Sequence, residues 1–370
     1  MKQGWEIKKL GEVASIKSGK SIDASQISTD ASLYPCYGGN GVRGFVNDYS
    51  YDGCFPIIGR VGALCGNVHL AKGKFYATEH ALVVEIKSTN IDSEWLKYNL
   101  ISLNLRNIAK GVAQPVIAAG EVSKILIPVP PLPEQEKIVS ELDCLSGIIE
   151  KKRQQLKELD ALAQSFFYEM FGNPVDNERG WEVKKLIDIY KFIDYRGKTP
   201  NKITKGIPLI TAKNIRKGYI DYSVREYISE EEFLQRQSRG IAKKGDLLFT
   251  TEAPMGCVAI ADLDVFSTGQ RLITFQKKQS FRIDNTYVLY YLLSDTFQLE
   301  LNNQATGATV KGIKGSKLEQ MTIPLPPLPL QQSFAQKVEA IEKQKELIKQ
   351  SIIEVETLLA SRMQYYFEEG

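Results

Sequence analysis

The sequence Ile-Pro-Val-Pro-Pro-Leu-Pro at residues 127–133 returns as Ile-Pro-Leu-Pro-Pro-Leu-Pro at residues 323–329, 196 positions later. The sequence Gly-Trp-Glu-Ile-Lys-Lys-Leu at residues 4–10 likewise returns as Gly-Trp-Glu-Val-Lys-Lys-Leu at residues 180–186. A chain that repeats itself at a long, regular offset is built from related structural units. Two similar surfaces suit a ligand that is itself repetitive, so the duplication is a clue to function as well as to fold.

Each proline-rich stretch leads into a long segment with an apolar residue at every third or fourth position. A spacing of 3.5 residues is typical of a coiled-coil seam, here continuing through Ala163, Phe166 and Met170 and interrupted by Lys152 and Lys345. A seam this narrow suits one partner helix, so we expect the two segments to pack on each other, antiparallel. The alternative is a lone amphipathic helix on each domain. The expected seam residues are Ile138, Leu142, Leu145, Ile149, Leu156, Leu159, Val338, Ile341, Ile348, Ile352, Val355 and Leu359.

With 370 residues, the chain is long enough for two domains that each bury a core. Short β-like runs at residues 55–58, 81–84, 246–250 and 271–275 are followed by helical patches at residues 93–107 and 286–302. Strands and helices do not alternate regularly, which predicts an α+β fold rather than a doubly wound sheet. The expected division is a globular domain at 1–133, a helix at 134–172, a second globular domain at 173–329 and a second helix at 330–370.

The net charge of +3 is unevenly distributed along the chain. Residues 1–133 carry 14 basic and 11 acidic side chains, and residues 173–329 carry 23 and 18. The periodic segments have the opposite balance, with 5 basic and 8 acidic side chains in 134–172 and 5 and 7 in 330–370. Positive charge on the globular blocks suits contact with phosphate, whereas the acidic helices suit contact with each other or with protein.

The cysteines and the apolar runs indicate a cellular compartment. No run of 18 or more apolar residues exists, and the first residues lack the apolar core of a signal peptide. The cysteines are odd in number and form no Cys-x-x-Cys pair, so we expect reduced thiols in a cytoplasmic protein without membrane contact. These cysteines are Cys36, Cys54, Cys65, Cys144 and Cys257.

The sequence contains fragments of catalytic motifs, but none is complete. Gly-Lys-Ser at 19–21 and Gly-Lys-Thr at 197–199 lack the preceding glycine of a nucleotide-binding loop, because Ala14 and Phe192 stand in its place. Two histidines and dispersed cysteines are too few for a zinc cluster. We therefore predict a recognition protein with no catalytic residue and no metal site. The alternative is a nuclease that uses Glu6 or Glu182 of the Glu-x-Lys sequences at 6–8 and 182–184.

Taken together, these motifs resemble the specificity subunit of type I restriction–modification systems. Residues 172–186, which include Gly-Asn-Pro and Gly-Trp-Glu-Val-Lys-Lys-Leu, are similar to the start of a target-recognition domain in that family. Residues 127–135, Ile-Pro-Val-Pro-Pro-Leu-Pro-Glu-Gln, are similar to its end, which leads into a spacer helix. The resemblance covers essentially the whole chain. One departure is that Glu134 and Gln135 become Leu330 and Gln331 in the second copy.

The resemblance implies that each target-recognition domain binds one half of a split sequence in double-stranded DNA. The spacer helices would set the gap between the halves and dock two modification subunits, which bring S-adenosylmethionine and methylate adenine. Restriction subunits would bring ATP hydrolysis, magnesium and cleavage, so this chain would bind no cofactor itself. The alternative is a free-standing DNA- or RNA-binding protein with no methyltransferase partner.

Candidate DNA contacts follow from side-chain chemistry. Arg, Lys, Asn, Gln and Thr in Gly-rich turns can reach base edges or phosphate. In the first block these residues are Lys20, Asn40, Arg43, Arg60 and Gln114, and in the second they are Arg196, Lys198, Lys213, Asn214, Arg216, Thr309 and Lys311.

Overall fold

A computed structural model describes residues 4–111, 114–173, 176–195, 199–307 and 311–367. The chain divides into two compact units, one formed by Met1–Gln154 with Lys349–Gly370 and the other by Gln155–Ile348. Two helices of 40 residues each, at Leu132–Phe171 and Leu328–Phe367, contribute to both units.

The first unit is built on a six-stranded sheet and a separate two-stranded sheet. Its elements in chain order are β1 (Glu6–Lys9), α1 (Leu10–Val13), β2 (Ala14–Ser18), β3 (Tyr34–Gly38), β4 (Gly41–Val46), β5 (Tyr51–Gly59), β6 (Val68–Ala77), β7 (Ala81–Ile86), α2 (Ser93–Ser102), α3 (Ala119–Val122), β8 (Leu126–Val129) and the first part of α4 (Leu132–Phe171). The large sheet has the order β2-β7-β5-β6-β3-β4, and β1 pairs with β8.

The large sheet of the first unit is buried on both faces. Neighbouring residues of a strand point to opposite faces, so Ile57 and Ile58 enter two different apolar clusters. Val83 joins Ile57 in one cluster, whereas Leu82 joins Ile58 in the other. This double burial explains why the central strands are continuous apolar runs rather than alternating ones.

The second unit has the same small sheet beside its long helices, but a four-stranded and a three-stranded sheet take the place of the six-stranded one. Its elements are the remainder of α4, then β9 (Glu182–Lys185), α5 (Leu186–Ile189), β10 (Tyr190–Asp194), β11 (Ile207–Ile210), β12 (Tyr227–Ile228), α6 (Glu230–Arg236), β13 (Leu247–Thr250), β14 (Val258–Ile260), β15 (Ser267–Thr268), β16 (Leu272–Lys277), α7 (Asn285–Leu293), α8 (Asp295–Gln304), α9 (Gly315–Gln320), β17 (Thr322–Leu325) and the first part of α10 (Leu328–Phe367). The sheets have the orders β10-β16-β13-β14, β12-β11-β15 and β17-β9. Here too Leu247 and Leu248 enter separate clusters on opposite faces of one sheet.

The proline-rich stretches are the strands that lead into the long helices. In the first unit Ile7 lies opposite Pro128 in the β1–β8 pair, and in the second Val183 lies opposite Pro324 in the β9–β17 pair. Both pairs are antiparallel. The two repeated phrases of each unit therefore meet in space, although about 120 to 140 residues separate them in the sequence.

A buried glutamine holds the start of each long helix. In the first unit the Gln135 side chain accepts a hydrogen bond from the Asp92 N–H (2.8 Å) and donates to the carbonyls of Asn90 (2.8 Å) and Pro130 (2.8 Å). In the second unit Gln331 accepts from the Asp284 N–H (2.9 Å) and donates to the Pro326 carbonyl (2.7 Å).

The residue before each glutamine differs between the copies. Glu134 accepts a hydrogen bond from the Trp5 indole at 3.1 Å. Leu330, which takes its place in the second copy, packs on the apolar core of its unit instead. The glutamine connection is therefore common to both units, whereas the glutamate connection belongs to the first unit alone.

The helix segments of the first unit run antiparallel. Glu141, near the start of α4, forms an ion pair with Arg362 (2.5 Å) and accepts a hydrogen bond from the Tyr366 hydroxyl (2.6 Å), both near the end of α10. Further along α4, Arg153 pairs with Glu356 at 2.7 Å. As the residue number increases along α4, the residue number of its partner on α10 decreases, which is the pattern of antiparallel helices.

The α4 segment of the first unit is also tied to α2. The Tyr98 hydroxyl of α2 donates a hydrogen bond to Asp143 at 2.5 Å, and the Lys97 ammonium lies 3.6 Å from the same carboxylate. Burial alone would raise the pKa of Asp143, but the Tyr98 hydroxyl and the Lys97 charge outweigh it and lower that pKa.

The segments of the second unit are antiparallel too, with an aromatic cluster at one end. Phe167 and Phe171 of α4 lie edge-on to Phe334 of α10, with ring centroids 5.6 and 5.4 Å away. At the other end, the half-buried Lys345 of α10 lies 2.7 Å from Asp160 of α4. Burial alone would lower the pKa of Lys345, but its carboxylate partners outweigh burial and raise it.

The expected seam agrees with the burial along both helices. All twelve predicted seam residues are buried or half-buried. The register differs at the end of α4, where Phe167 and Phe171 are buried and Phe166 and Met170 are only half-buried. The strict spacing of 3.5 residues fails there because this end of α4 packs on a globular core, which needs a wider apolar face than a partner helix does.

Two predicted helices differ from those observed, and both end at polar residues. The patch at 93–107 forms α2 only as far as Ser102, and Asn104 then adopts a left-handed backbone with φ of 43°. The patch at 286–302 divides into α7 and α8 at Ser294, whose hydroxyl accepts a hydrogen bond from the Phe297 N–H and so caps α8. The α+β class with two related globular parts and two long helices is confirmed.

The described part of the chain contains no helix that is both long and apolar enough to cross a membrane.

Candidate nucleic-acid interface

Four segments of the first unit meet at one end of its large sheet. The Lys20 N–H donates to the Ala77 carbonyl (2.9 Å), and the Arg60 N–H donates to the His80 carbonyl (2.9 Å). The Ile117 N–H in turn donates to the Arg60 carbonyl at 2.9 Å. We call this meeting point the first loop junction, and it comprises residues 19–20, 59–62, 77–80, 110–111 and 114–117.

Glycines allow the segments of the first loop junction to approach so closely. A Cβ atom on Gly19 would lie 2.1 Å from the Ala77 carbonyl oxygen, and one on Gly59 would lie 2.2 Å from the Gly39 carbonyl oxygen. Exposed side chains here, such as those of Lys20 and Gln114, are consequently attached to a closely packed backbone. A rigid backbone with projecting polar side chains is the arrangement that positions groups for recognition.

Three of the five predicted residues of the first unit lie on the first loop junction, and the other two lie on a hairpin beside it. Lys20 and Gln114 are exposed on two of its segments, and Arg60 is half-buried on a third. Asn40 and Arg43 are exposed on the adjoining β3–β4 hairpin. The hairpin is joined to the junction by a hydrogen bond from the Thr78 N–H to the carbonyl of Tyr37 (2.9 Å).

Two of these side chains are held in place by neighbours. The Arg60 guanidinium donates to the Ser18 hydroxyl (3.1 Å) and to the Glu79 carbonyl (3.3 Å). The Asn40 carboxamide oxygen accepts from the Asn67 amide at 3.1 Å. A guanidinium that is oriented before binding loses less side-chain entropy when it meets a ligand.

The second unit has an equivalent meeting point. The Thr251 N–H donates to the Arg271 carbonyl (2.9 Å), and the Ile313 N–H donates to the Thr251 carbonyl (3.0 Å). The Gln270 amide reaches the Thr199 hydroxyl at 2.5 Å. The second loop junction therefore comprises residues 199, 251–256, 268–271, 306–307 and 311–313.

Two predicted residues of the second unit lie on its surface near this junction. Lys311 is exposed and adjoins Gly312, which bridges to Glu252. Lys213 is exposed on the turn that follows β11, and its ammonium lies 3.6 Å from Glu226. This turn approaches the junction at Gly269, whose N–H donates to the Ile210 carbonyl at 2.7 Å.

Asn214 and Arg216 maintain the shape of the same turn. Asn214 is 1% exposed, and its carboxamide accepts from Thr211 and donates to the carbonyls of Asp221 (2.9 Å) and Val224 (2.7 Å). Such an amide has no hydrogen-bonding capacity left for a ligand. Arg216 forms an ion pair with Asp221 at 2.9 Å and is half-buried. The side chain of Asn214 is consequently a structural one. Arg196, Lys198 and Thr309 lie outside the described residues.

Gln270 and Arg271 are two polar residues of the second loop junction that are not among the candidates predicted from the sequence. They lie between β15 and β16, where the apolar run at 271–275 suggested the start of a strand. Gly269, directly before them, is the sequence signal that indicates a turn at this position.

The other titratable side chains in the part of the chain that the structure describes are relevant to a possible metal site. No group of three or more His, Cys, Asp or Glu side chains is positioned there to hold a metal ion. Burial raises the pKa of the Cys36, Cys65 and Cys257 thiols, which keeps them protonated at neutral pH. All the cysteines are free thiols.

The two Glu-x-Lys sequences form ion pairs at the edge of the small sheets. Lys8 lies 2.8 Å from Glu6, and Lys184 lies 2.5 Å from Glu182. The hydrogen bond and charge of Lys8 lower the pKa of Glu6. Each carboxylate is exposed and is neutralised by the lysine two residues later, rather than being directed with other carboxylates toward a shared ion.

The sequence of this chain matches a known protein family. The type I restriction modification DNA specificity domain matches residues 2–160 and again residues 178–357. The EcoprrI specificity subunit of Escherichia coli is 42% identical over 139 residues, which is 37% of this chain and 34% of that subunit. The putative specificity subunit S.HindORF215P of Haemophilus influenzae is 25% identical over 340 residues, which is 87% of this chain and 84% of that protein.

Solved structures have the same fold. The S subunit of the type I restriction–modification system from M. genitalium superposes with a TM-score of 0.59 at 15% identity, covering 98% of this chain and 96% of that one. A chain from a structure of type I R-M complex assembly and conformational transition has a TM-score of 0.57 at 21% identity, covering 98% and 97%. The chain therefore belongs to the type I restriction–modification DNA specificity family, whose proteins determine which DNA sequence the complex recognises, and it contains two copies of the family's domain.

Proposed function

We propose that each unit binds one half of a bipartite DNA sequence through its loop junction, and that the chain is the non-catalytic specificity component of a type I complex. The observation that carries this proposal is that both units contain a loop junction joined by two equivalent backbone hydrogen bonds, whereas the side chains at the two junctions differ. Two units with a similar backbone but different surface side chains suit a DNA target made of two different half-sequences.

The chemistry of the junctions supports DNA rather than a small ligand. Lys20, Arg43 and Arg60 place three cations on the first junction and its hairpin, and Lys213 and Lys311 place two at the second. Phosphate contacts of this kind supply affinity, and arginine, asparagine and glutamine side chains can read base edges in the major groove. We leave Asn214 out of the proposed interface because its amide is buried and fully bonded.

The long helices suit a role in spacing and assembly. A helix of 40 residues is about 60 Å long at 1.5 Å per residue. We propose that the two helices set the separation of the half-sites and dock two modification subunits. Their acidic balance, with 5 basic and 8 acidic side chains in residues 134–172, suits a protein partner better than DNA.

The chemistry of methylation and cleavage belongs to the partners in this proposal. The modification subunits would bind S-adenosylmethionine and methylate adenine, and restriction subunits would use ATP and magnesium. The chain itself would bind no cofactor and catalyse no reaction. We place the complex in the cytoplasm, a proposal supported by the free thiols at all cysteine positions.

Genome-wide mapping of methyladenine tests this function. We expect a bipartite motif in cells that contain the chain and its modification subunit, and loss of that motif when the gene for the chain is deleted. Co-purification should recover two modification subunits for each copy of the chain. A chain that is recovered alone and binds nucleic acid would instead indicate a free-standing binder, and magnesium-dependent cutting by the pure chain would indicate a nuclease.

A variant pair then tests the interface in the first unit. Arg60→Ala should cost about 1–3 kcal/mol of discrimination at one position of one half-motif. Arg282→Ala is the matched control, because Arg282 is exposed in the second unit two residues before Asp284, which bonds to the start of α10. An unchanged motif in the Arg60 variant would remove Arg60 from the interface.

A further inference from the structure

Arg271 has a backbone conformation that is unfavourable for an arginine. Its φ is +67°, in the left-handed region, which glycine or asparagine adopts at lower cost. The N–H and the hydroxyl of Thr251 hold this conformation by donating to the Arg271 carbonyl at 2.9 and 3.3 Å. A strained residue that the surrounding structure holds in place is a candidate for a functional role.

The side chain of Arg271 is available to a ligand. It is 54% exposed, and its Nε atom lies 3.1 Å from a carboxylate oxygen of Glu252. The Nη atoms form the outer edge of the guanidinium fork, and an ion pair through Nε leaves that edge free for a second acceptor. Glu252 therefore orients the guanidinium through Nε and leaves the two Nη atoms available to another acceptor.

Each loop junction has an arginine at the same backbone hydrogen bond, but the arginine is the donor residue in the first unit and the acceptor residue in the second. In the first unit Arg60 donates its N–H to the His80 carbonyl, and in the second unit Thr251 donates to the Arg271 carbonyl. Arg60 of the first unit is therefore equivalent to Thr251 of the second, and His80 of the first unit is equivalent to Arg271 of the second. Among the described residues, Arg60 directly follows β5 in the first unit and Arg271 directly precedes β16 in the second.

We infer that Arg271 reads a guanine in the half-sequence bound by the second unit, and that Glu252 is the positioning residue for its guanidinium. The two donors at the end of the fork match the O6 and N7 acceptors of guanine in the major groove. The inference rests on the proposed function, because it assigns one residue of that interface to one kind of base. It follows that the half-motif of the second unit contains a G·C pair at the position that Arg271 contacts.

Charge-conserving substitution distinguishes a base contact from a phosphate contact. We would express the chain with its modification subunit and map methyladenine for the natural protein, Arg271→Lys and Arg282→Lys. Lysine keeps the positive charge but loses the planar fork, so a phosphate contact survives the change and a bidentate guanine contact does not. We expect Arg271→Lys to lose about ten- to hundredfold of its discrimination at one G·C pair, in the half-motif that Arg60→Ala leaves unchanged, and Arg282→Lys to keep the full motif.

The role of Glu252 has its own readout. Glu252→Ala should relax the same G·C pair as Arg271→Lys, and the double variant should be no more relaxed than Arg271→Lys alone, because Glu252 acts through the guanidinium. Circular dichroism melts of the complexes identify any variant that has lost its fold. A relaxation of different positions by the two single variants would overturn the positioning role.

The outcomes separate the inference from the function on which it rests. If the natural complex leaves no bipartite motif, the proposed function fails. If the natural motif is present but Arg271→Lys preserves every base of it, or weakens methylation equally at all sites, the guanine contact is overturned and the proposed function stands. A half-motif of the second unit that lacks a G·C pair would also overturn the contact.

Discussion

Replacement of Gln135 by leucine should destabilise the first unit by about 3 kcal/mol. The side chain is fully buried and makes three hydrogen bonds to main-chain groups, each 2.8 Å long. A typical buried hydrogen bond contributes about 0.5–1.5 kcal/mol net, and leucine of similar volume leaves the three peptide groups without their partner. Gln331 makes two such bonds, so Gln331→Leu should cost the second unit about 2 kcal/mol.

The measurement has to resolve the two units, since a chain with two compact units need not unfold in one step. We would titrate with urea and follow hydrogen exchange by mass spectrometry in peptides from each unit. The exposed Gln350, in the α10 segment of the first unit, supplies the control variant Gln350→Leu, which should change stability by less than about 0.5 kcal/mol. The reasoning would be refuted if Gln135→Leu cost less than about 1 kcal/mol, or if it destabilised the second unit instead of the first.

Three further changes test local features of the structure. Gly147→Ala, in the interior of α4, should raise the unfolding free energy by about 1 kcal/mol in urea titrations, because a Cβ there meets nothing within 4 Å. Gly19→Ala should lower it by roughly 2 kcal/mol or more, since its Cβ would lie 2.1 Å from the Ala77 carbonyl oxygen, whereas Gly120→Ala meets nothing within 4 Å and should be tolerated. The pKa of Asp143 is lowered in the fold, so its stabilising contribution is present above about pH 4 and is lost as the pH falls through the folded pKa. Melting curves of Asp143→Asn should therefore show a smaller acid-induced loss than those of the natural protein, and equal losses would contradict the cause assigned to that pKa.

Regular elements of the fold were predictable wherever one periodic pattern decided them. The 3.5-residue spacing predicted both long helices, and the seam residues from Ile138 to Leu359 are buried or half-buried. The prediction was less accurate where a helix left its partner for a globular core, as at Phe167 and Phe171. The division of 286–302 into two helices depends on a single cap at Ser294, which a pattern of apolar residues does not reveal.

The candidate interface was predictable in chemistry but not in geometry. Side-chain type and Gly-rich context selected Lys20, Arg60 and Lys311, which the fold places at the loop junctions. The same criteria selected Asn214, whose amide the fold uses to close a turn. They passed over Arg271, because its apolar neighbours look like a strand and its left-handed backbone has no sequence pattern of its own. Contact of Arg60 and Arg271 with DNA stays a prediction that the variants above test.

The sequence by itself determined that the chain is duplicated, that each copy ends in a long helix and that the family is one of DNA specificity. Repeats, heptads and proline-rich stretches are patterns within the sequence itself, so they can be recognised without a structure. Only the tertiary structure decided which polar residues meet. The hydrogen bonds that join Arg60 to His80 and Thr251 to Arg271 connect segments 20 residues apart, and Ile117 and Ile313 join from farther still. Contacts between distant segments depend on how the sheets pair and pack, and no spacing in the sequence encodes that pairing.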